Sequence, residues 1–292
     1  MVSILIKDYN FKSHPKKLLN DKDTYNNLFR KESMMLEKES SVIREAARES
    51  GNILTGLFGK IKNINKKGEI DLVTEADIQS EKSILKIIRE NFPGDGILTE
   101  ESGEMGNLSD RVWMIDPLDG TTNYAHSFPF FAVSIALQVK GEIVVGMVFN
   151  PILNELFEAI KGEGALLNGM PIKVTQTTAL RESLLATGFP YSIYKEHKAV
   201  MDIFTRMIVR AQGIRRPGAA AIDLCYVATG RLDGFWEQGL NPWDTAAGSL
   251  IVREAGGMVS DYKGEAYSPF QKTIVAANPH IFKEMLRVLN PD

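Results

Sequence analysis

The sequence predicts a layered fold of α-helices and β-sheets whose two halves share one cleft. Three observations predict it: helical segments flank both halves, a run of short apolar strands fills the middle, and acidic residues follow several of the strands. The 292 residues are 44% hydrophobic and 24% charged, which is an ordinary globular composition. A chain of this length buries about 75% of the surface that its unfolded form exposes, so it can build a large core.

The chain begins with a weakly patterned polar stretch. Residues 1–33 are rich in Lys, Asp and Asn and are predicted to form a flexible N-terminal extension, whereas residues 34–292 are predicted to form a single domain of two halves. Apolar positions keep helical spacing from residue 36 to residue 58, which predicts the first helix.

A second helix is predicted to begin after an extended stretch that ends in Asp71-Leu-Val-Thr-Glu-Ala-Asp77. Thr74 is the expected N-cap and Asp77 lies three residues later, close to a capping-box pattern. The helix is expected to end near Asn91, because Pro93 and Gly94 follow.

The remaining elements follow from alternation and turn residues. Short strands are predicted at 96–99 and 112–115. Lys-Gly and Asn-Pro turns separate the next apolar strands, at 131–139, 142–149 and 155–160, and predict a meandering antiparallel sheet. After it we expect a strand at 184–187, helices at 194–211 and 219–229, a strand at 232–237, a helix at 243–255, strands at 257–260 and 273–277, and a helix at 278–289.

Charge and composition exclude several function classes. The net charge of -3 argues against nucleic acid as the main partner, since binding to a phosphate backbone leaves a basic footprint. The single Cys225 rules out an intrachain disulfide and is expected to be a buried small residue. No apolar stretch approaches the ~18 residues of a membrane span, and the N-terminus has no secretory core, so a cytoplasmic protein is expected. The four histidines lack zinc-binding spacing, and neither P-loop nor G-x-S-x-G motifs occur.

The most informative segment is Val112-Trp-Met-Ile-Asp-Pro-Leu-Asp-Gly-Thr-Thr-Asn-Tyr124. An apolar strand ends in Asp116, the following proline interrupts strand pairing, and Gly120 permits a tight bend before Thr121 and Thr122, which can cap a helical turn. Such a turn can direct Asp116, Asp119 and a backbone carbonyl at one point, and hard cations such as Mg²⁺ take oxygen ligands of this kind. Taken alone, the motif fits an ordinary surface turn equally well.

Other acidic residues favour the metal-binding interpretation. Glu100 and Glu101 follow a short apolar strand, and Asp244 stands at the head of an apolar helix. Asp71 and Asp77 flank a further strand-to-helix junction, where helix capping competes with a functional role for Asp77. Several acids at strand ends, without a basic run beside them in sequence, are typical of metal ligands.

At these residues the sequence resembles the inositol monophosphatase family, within the superfamily that includes fructose-bisphosphatases. The resemblance covers roughly residues 36–290 and rests on two signatures, Trp113–Tyr124 and Pro242–Gly257, preceded by Asp71–Asp77 and Thr99–Ser102 in the expected order. It implies an α+β fold, a layered αβαβα sandwich, usually homodimeric.

The resemblance also implies up to three Mg²⁺ ions per site. Glu100, Asp116 and the carbonyl of Leu118 would hold the first ion; Asp116, Asp119 and Asp244 the second; Glu100 and water a third. Asp77 and Thr121 would position the attacking water, and Lys66 and Asp71 would be supporting residues. The implied substrate contacts are Asp119, Gly120, Thr121, Gly218, Ala219, Ala220 and Glu237.

The function implied is Mg²⁺-dependent hydrolysis of a small phosphorylated metabolite, with inositol 1-phosphate as the leading substrate and lithium as an inhibitor. Ala219 departs from the family pattern, in which Ser or Thr often stands, so one possible hydroxyl contact to substrate is missing. Fructose 1,6-bisphosphatase, which Arg215 and Arg216 would suit, histidinol phosphatase and nucleotide 3'-phosphatase stay open. A regulatory binding protein that engages the transcription machinery is the non-enzymatic alternative.

Overall fold

The computed structural model describes residues 36–60, 64–66, 72–106 and 110–290. The predicted N-terminal extension and Asp71 lie outside the described residues, so the division into extension and domain stays a prediction. Within the described part of the chain, no helix has the length and apolar character needed for a membrane crossing.

The first two helices form where the sequence predicts them. Helix α1 (Glu37–Leu57) buries an apolar stripe along one face, as its periodicity requires. Helix α2 (Glu75–Asn91) begins after Thr74, whose side chain and backbone complete a capping box with Asp77. The predicted capping is therefore confirmed.

The larger sheet has eight strands in the described residues, in the order β10-β9-β8-β7-β6-β5-β3-β4. In chain order they are β3 (Gly96–Thr99), β4 (Gly103–Met105), β5 (Arg111–Asp119), β6 (Ala132–Val139), β7 (Glu142–Asn150), β8 (Glu155–Ile160), β9 (Gly164–Leu167) and β10 (Met170–Pro171). The predicted antiparallel meander is confirmed from β6 to β8. Strand β5 extends it by pairing antiparallel with β6, whereas β3 and β5 run parallel. The pairing of β5 with β6 shifts register between Asp116 and Asp119, around Pro117, because proline has no N–H for a ladder.

The smaller sheet has five strands in the part of the chain that the structure describes: β11 (Leu184–Thr187), β12 (Gly213–Arg215), β13 (Gly234–Gln238), β14 (Met258–Ser260) and β15 (Thr273–Ala277). Their order across the sheet is β12-β11-β13-β15-β14. The C-terminal helices are α4 (Ile193–Ile208), α5 (Ala220–Ala228), α6 (Pro242–Glu254) and α7 (Pro279–Leu289).

These elements stack in five layers, which confirms the αβαβα sandwich. Helices α1 and α2 cover one face of the larger sheet, where Gly51 of α1 lies against Phe149 of β7 and Arg44 of α1 pairs with Glu158 of β8. Helices α5 and α6 lie between the two sheets, and α4 and α7 cover the far face of the smaller sheet. At Gly146 of β7 an added Cβ would lie 3.0 Å from the Cα and the carbonyl oxygen of Ala247, so α6 packs closely on the sheet where β7 carries a glycine.

Several short strands were not predicted from the sequence. They are β1 (Ile64–Lys66) and β2 (Leu72–Thr74), which form a hairpin, and β4, β9, β10 and β12; each has too few residues for a recognisable alternation. The helix predicted at 194–211 ends at Ile208, since residues 209–212 form a turn into β12.

Candidate active site

The bulge at the end of β5 arranges the central acidic motif. Asp116 Oδ1 accepts a hydrogen bond from the Leu118 N–H at 2.9 Å, which closes the turn through Pro117. Gly120 then adopts φ 93°, and an added Cβ there would lie 3.0 Å from the carbonyl oxygen of Phe130. The chain therefore needs glycine at this bend.

A short helix, α3 (Thr121–Ala125), follows the bend. Its N-cap is Gly120 without a side-chain hydrogen bond, so the prediction that Thr121 and Thr122 cap it is wrong. The left-handed backbone of Gly120 begins the helix one residue earlier, and the Thr121 hydroxyl is used elsewhere. Its Oγ1 lies 3.0 Å from Asp77 Oδ1 and 3.0 Å from the Leu118 carbonyl oxygen.

Asp77 caps helix α2 and also contacts Thr121, which lines the cleft. Its Oδ2 accepts hydrogen bonds from the Thr74 N–H at 2.8 Å and the Thr74 hydroxyl at 2.6 Å, which is the capping role. Its Oδ1 faces the Thr121 hydroxyl. Burial raises the pKa of the Asp77 carboxyl, and these hydrogen bonds oppose the rise.

Helices α5 and α6 bring the remaining acids to the same place. Asp119 Oδ2 accepts a hydrogen bond from the Ala221 N–H at 2.8 Å, near the start of α5. Asp244 accepts one from the Asn241 N–H at 2.7 Å, at the start of α6. Ser134 of β6 donates to the Trp243 carbonyl at 3.1 Å and so ties the start of α6 to the larger sheet.

One cleft brings together most of the predicted site residues. Its lining includes the predicted metal ligands and substrate contacts: Glu100, Asp116, Leu118, Asp119, Gly120, Thr121, Gly218, Ala219, Ala220, Glu237 and Asp244. Asp77 is buried behind Thr121 rather than part of the lining. The side chain of Lys66 and all of Asp71 lie outside what the structure describes.

The carboxylates in this cleft repel one another. Burial raises the pKa of Asp116 well above its usual range, and the charges of Glu100, Asp119 and Asp244 raise it further. Burial raises the pKa of Asp119 to about 7, and burial also raises the pKa of Asp244. Clustering of anions at this cost is typical of a site that a cation completes.

The donor set fits Mg²⁺ in chemistry, since it offers only carboxylate and carbonyl oxygens. Within the described ranges, no three acidic, His or Cys side chains converge closely enough to hold an ion as they stand. The electrostatic coupling of Asp116 to three other carboxylates nevertheless places them around one centre. The acids therefore line a common space without closing on a single point.

Several residues of this cleft were not predicted from the sequence. Gly188, Phe189, Pro190 and Tyr191 follow β11 and form one wall, and no motif singles them out. Arg216 also lines the cleft, and its charge lowers the pKa of Glu237, which burial raises to about 8. The adjacent arginines at 215 and 216 were the one available signal for a cationic contact.

Comparison with known proteins agrees with the fold and the motifs. The model of the inositol monophosphatase family matches residues 35–290. An inositol-1-monophosphatase of Synechocystis is 47% identical over 85% of this chain and 87% of its own length, and the Nus factor SuhB of Pasteurella multocida is 44% identical over 84% and 93%. The crystal structure of the suppressor protein SuhB from Bartonella henselae superimposes with a TM-score of 0.84 at 42% identity, covering 87% of this chain and 99% of that one. The chain belongs to the inositol monophosphatase family.

Proposed function

We propose that this protein is a Mg²⁺-dependent phosphatase that hydrolyses inositol 1-phosphate. The observation that carries the proposal is the group of mutually repelling carboxylates around one cleft, with Asp116 at its centre. Membership of the family supports phosphatase activity, and the family is generally Mg²⁺-dependent. The choice of substrate is supported by Glu237, a buried acceptor for substrate hydroxyls on the cleft wall.

The chain offers ligands for up to three ions. Glu100, Asp116 and the Leu118 carbonyl would hold one, and Asp116, Asp119 and Asp244 would hold a second. Glu100 would hold a third together with water. When bound, Mg²⁺ supplies positive charge that neutralises the carboxylates and the phosphate and makes water a better nucleophile.

The protein's own residues orient and deprotonate that water. When the Thr121 hydroxyl donates to Asp77, its oxygen can still accept a hydrogen bond from a water in the cleft that Thr121 lines. A proton that leaves the water can pass through Thr121 to Asp77, whose raised pKa suits a proton acceptor. The backbone N–H groups of Gly120 and Thr121, where α3 begins, are the proposed contacts for the phosphate.

The substrate alcohol would lie against the opposite wall. Gly218, Ala219 and Ala220 leave room there because their side chains are absent or a single methyl group. Asp119 and Glu237 supply acceptors, and a polyol presents several hydroxyl donors. Ala219 contributes no hydroxyl of its own, so recognition depends more on these two carboxylates.

The test is phosphate release from inositol 1-phosphate, fructose 1,6-bisphosphate, histidinol phosphate and 3'-phosphoadenosine 5'-phosphate, with Mg²⁺ and with EDTA. We expect Mg²⁺-dependent release with preference for inositol 1-phosphate. Preference for another of these esters would contradict the choice of inositol 1-phosphate but would still support a Mg²⁺-dependent phosphatase. LiCl titrated against KCl at fixed Mg²⁺ tests the expected inhibition by lithium.

A substitution tests the metal assignment in the same assay. Asp116→Asn keeps the shape of the side chain but removes a charge shared by two ions, so we expect kcat to fall by at least about a thousandfold. Asp202→Asn, on the exposed face of α4, is the matched control. Near-normal turnover by Asp116→Asn would contradict the assignment of Asp116 as a metal ligand.

A regulatory role is the second candidate, because a relative at 44% identity is a Nus factor. A regulatory role of this kind predicts that the protein binds purified RNA polymerase of the same organism, which co-elution in size-exclusion chromatography would measure. Asp116→Asn should bind as the wild type does if this role is separate from catalysis. No release from any substrate, together with polymerase binding, would make the regulatory function the primary one.

A further inference from the structure

We propose that Gly188 is a specificity-determining positioning residue, which lets the Glu237 carboxylate lie deep in the cleft wall and so admits polyhydroxylated phosphate esters. The inference rests on the proposed function and concerns the alcohol half of that site. It assigns a role to a residue that touches Glu237 rather than the reacting atoms.

The Glu237 carboxylate lies against the bare Cα of Gly188. A Cβ added at Gly188 would overlap Oε1, Oε2 and Cδ of Glu237. Each of these atoms would lie closer than 3.0 Å to it, a distance that real Cβ atoms essentially never show. The backbone does not require glycine here, since Gly188 is not among the residues with positive φ. A side chain at this position would therefore displace the Glu237 carboxylate, whereas glycine leaves it in place.

Glu237 cannot avoid a new side chain by moving its backbone. It lies on β13, which pairs with β11 on one side and β15 on the other. Thr187, next to Gly188, donates to the Trp236 carbonyl at 2.7 Å and joins the two segments directly. With Glu237 only 7% exposed, the open direction for its carboxylate is the cleft, which both residues line.

Displacement into the cleft would occupy space that the substrate alcohol needs. A rigid ring with several hydroxyls depends on the position of its acceptor, and an error of about 1 Å can cost up to about a hundredfold in rate. A flat aromatic alcohol without further hydroxyls makes no such hydrogen bonds. Gly188→Ala should therefore discriminate between the two kinds of ester.

The experiment compares kcat/KM for inositol 1-phosphate and p-nitrophenyl phosphate at saturating Mg²⁺. We expect Gly188→Ala to lower the ratio of the two values about tenfold, mainly through KM for inositol 1-phosphate. In a Glu237→Ala background the same substitution should leave the ratio unchanged, because the displaced carboxylate is gone. Gly213→Ala, on the neighbouring strand and with no atom closer than 3.4 Å, is the matched control.

A second variant protects the test against misfolding. This is the double variant Gly188→Ala, Glu237→Asp, in which the acid is one methylene shorter and the overlap is relieved. Its ratio of kcat/KM values should return part of the way to that of the wild type. An unchanged ratio in Gly188→Ala, or an equal fall in the Glu237→Ala background, would overturn the inference alone. A wild type that hydrolyses p-nitrophenyl phosphate but no polyol phosphate would overturn the proposed substrate and this inference with it.

Discussion

At the residue scale, burial in the cleft makes the folding stability of the protein depend on the ionisation of the Asp119 carboxyl. Burial raises its pKa from 3.8 to about 7, although two backbone N–H groups favour the charged form. Between these values the folded protein binds more protons at this group than the unfolded chain does. The contribution to stability is therefore complete below about pH 4 and is lost as the pH rises through about 7.

Asp119→Asn should consequently stabilise the metal-free protein at high pH. In EDTA we expect the Tm of the variant to exceed that of the wild type by about 3–10 °C at pH 8, and by much less at pH 5. Mg²⁺ should reverse the order, since it binds only the ionised carboxylate. A Tm difference that is equal at both pH values would contradict the burial argument, and Asp202→Asn controls for loss of a surface charge.

Most acids of the cleft could be predicted because their local sequence shows why they matter. Asp116 and Asp119 flank a proline in an apolar strand, and Asp244 heads an apolar helix. Gly188 could not be predicted, because its significance depends on Glu237, 49 positions away, and on the pairing of β11 with β13. Contacts across the sheet leave no periodic pattern in the sequence.

At the element scale, three side chains on one face of helix α2 contact three separate segments of the cleft. Asp77 contacts Thr121, and Ser80 donates to the Pro117 carbonyl at 2.7 Å. Glu81 accepts from the Thr99 hydroxyl at 2.6 Å and from the Glu101 N–H at 3.2 Å, on either side of Glu100. Its other oxygen accepts from the hydroxyl of Ser102. One helix thus fixes the bulge, α3 and the Glu100 loop relative to one another.

Glu81→Ala should loosen the segment Thr99–Ser102, which contains Glu100. The substitution leaves buried donors without their acceptor, which costs about 1–3 kcal/mol, and we expect the Mg²⁺ half-saturation to rise about tenfold. Glu81→Gln keeps an acceptor for Thr99 and Glu101 and should recover much of the binding. Calorimetric Mg²⁺ titration and Tm are the measurements, with exposed Glu90→Ala on the same helix as control. Lower Tm with unchanged Mg²⁺ binding would assign Glu81 a purely structural role.

The long helices of this fold follow from the sequence, and so do the short strands β3, β11 and β14, whereas other short strands do not. Helices α1, α2 and α7 were predicted within one residue at each end, because their apolar periodicity and capping residues agree. Strand β12 has three residues and is defined by its parallel pairing with β11, so neither its existence nor its direction is readable locally. Strands β3 and β5 were predicted, but their parallel pairing was not, because it is set by tertiary structure.

At the scale of the whole molecule, helix α6 links the core to the site. It lies between the two sheets, and its first turn carries Asp244 towards the acids on β5. Two contacts set its distance from the larger sheet: Ser134 donates to the Trp243 carbonyl, and Gly146 admits the backbone of Ala247. Packing of the interior therefore determines where one of the carboxylates lies.

Gly146→Ala should disturb core and site together. The added methyl group would lie 3.0 Å from the Cα and the carbonyl oxygen of Ala247, and neither backbone atom can move without the helix. Overpacking of this kind costs about 1–3 kcal/mol, so we expect Tm in EDTA to fall by roughly 2–10 °C. Because the shift of α6 moves Asp244 relative to Asp116, the Mg²⁺ half-saturation should also rise by about three- to tenfold.

Gly56→Ala is the control, since no atom lies within 4 Å of an added Cβ on this turn of α1 and alanine favours a helix. It should raise Tm slightly and leave Mg²⁺ binding unchanged. If Gly146→Ala lowers Tm while Mg²⁺ binds as in the wild type, the first turn of α6 holds Asp244 independently of the core. Ser134→Ala would then be the variant that weakens Mg²⁺ binding, because it alone releases the Trp243 carbonyl.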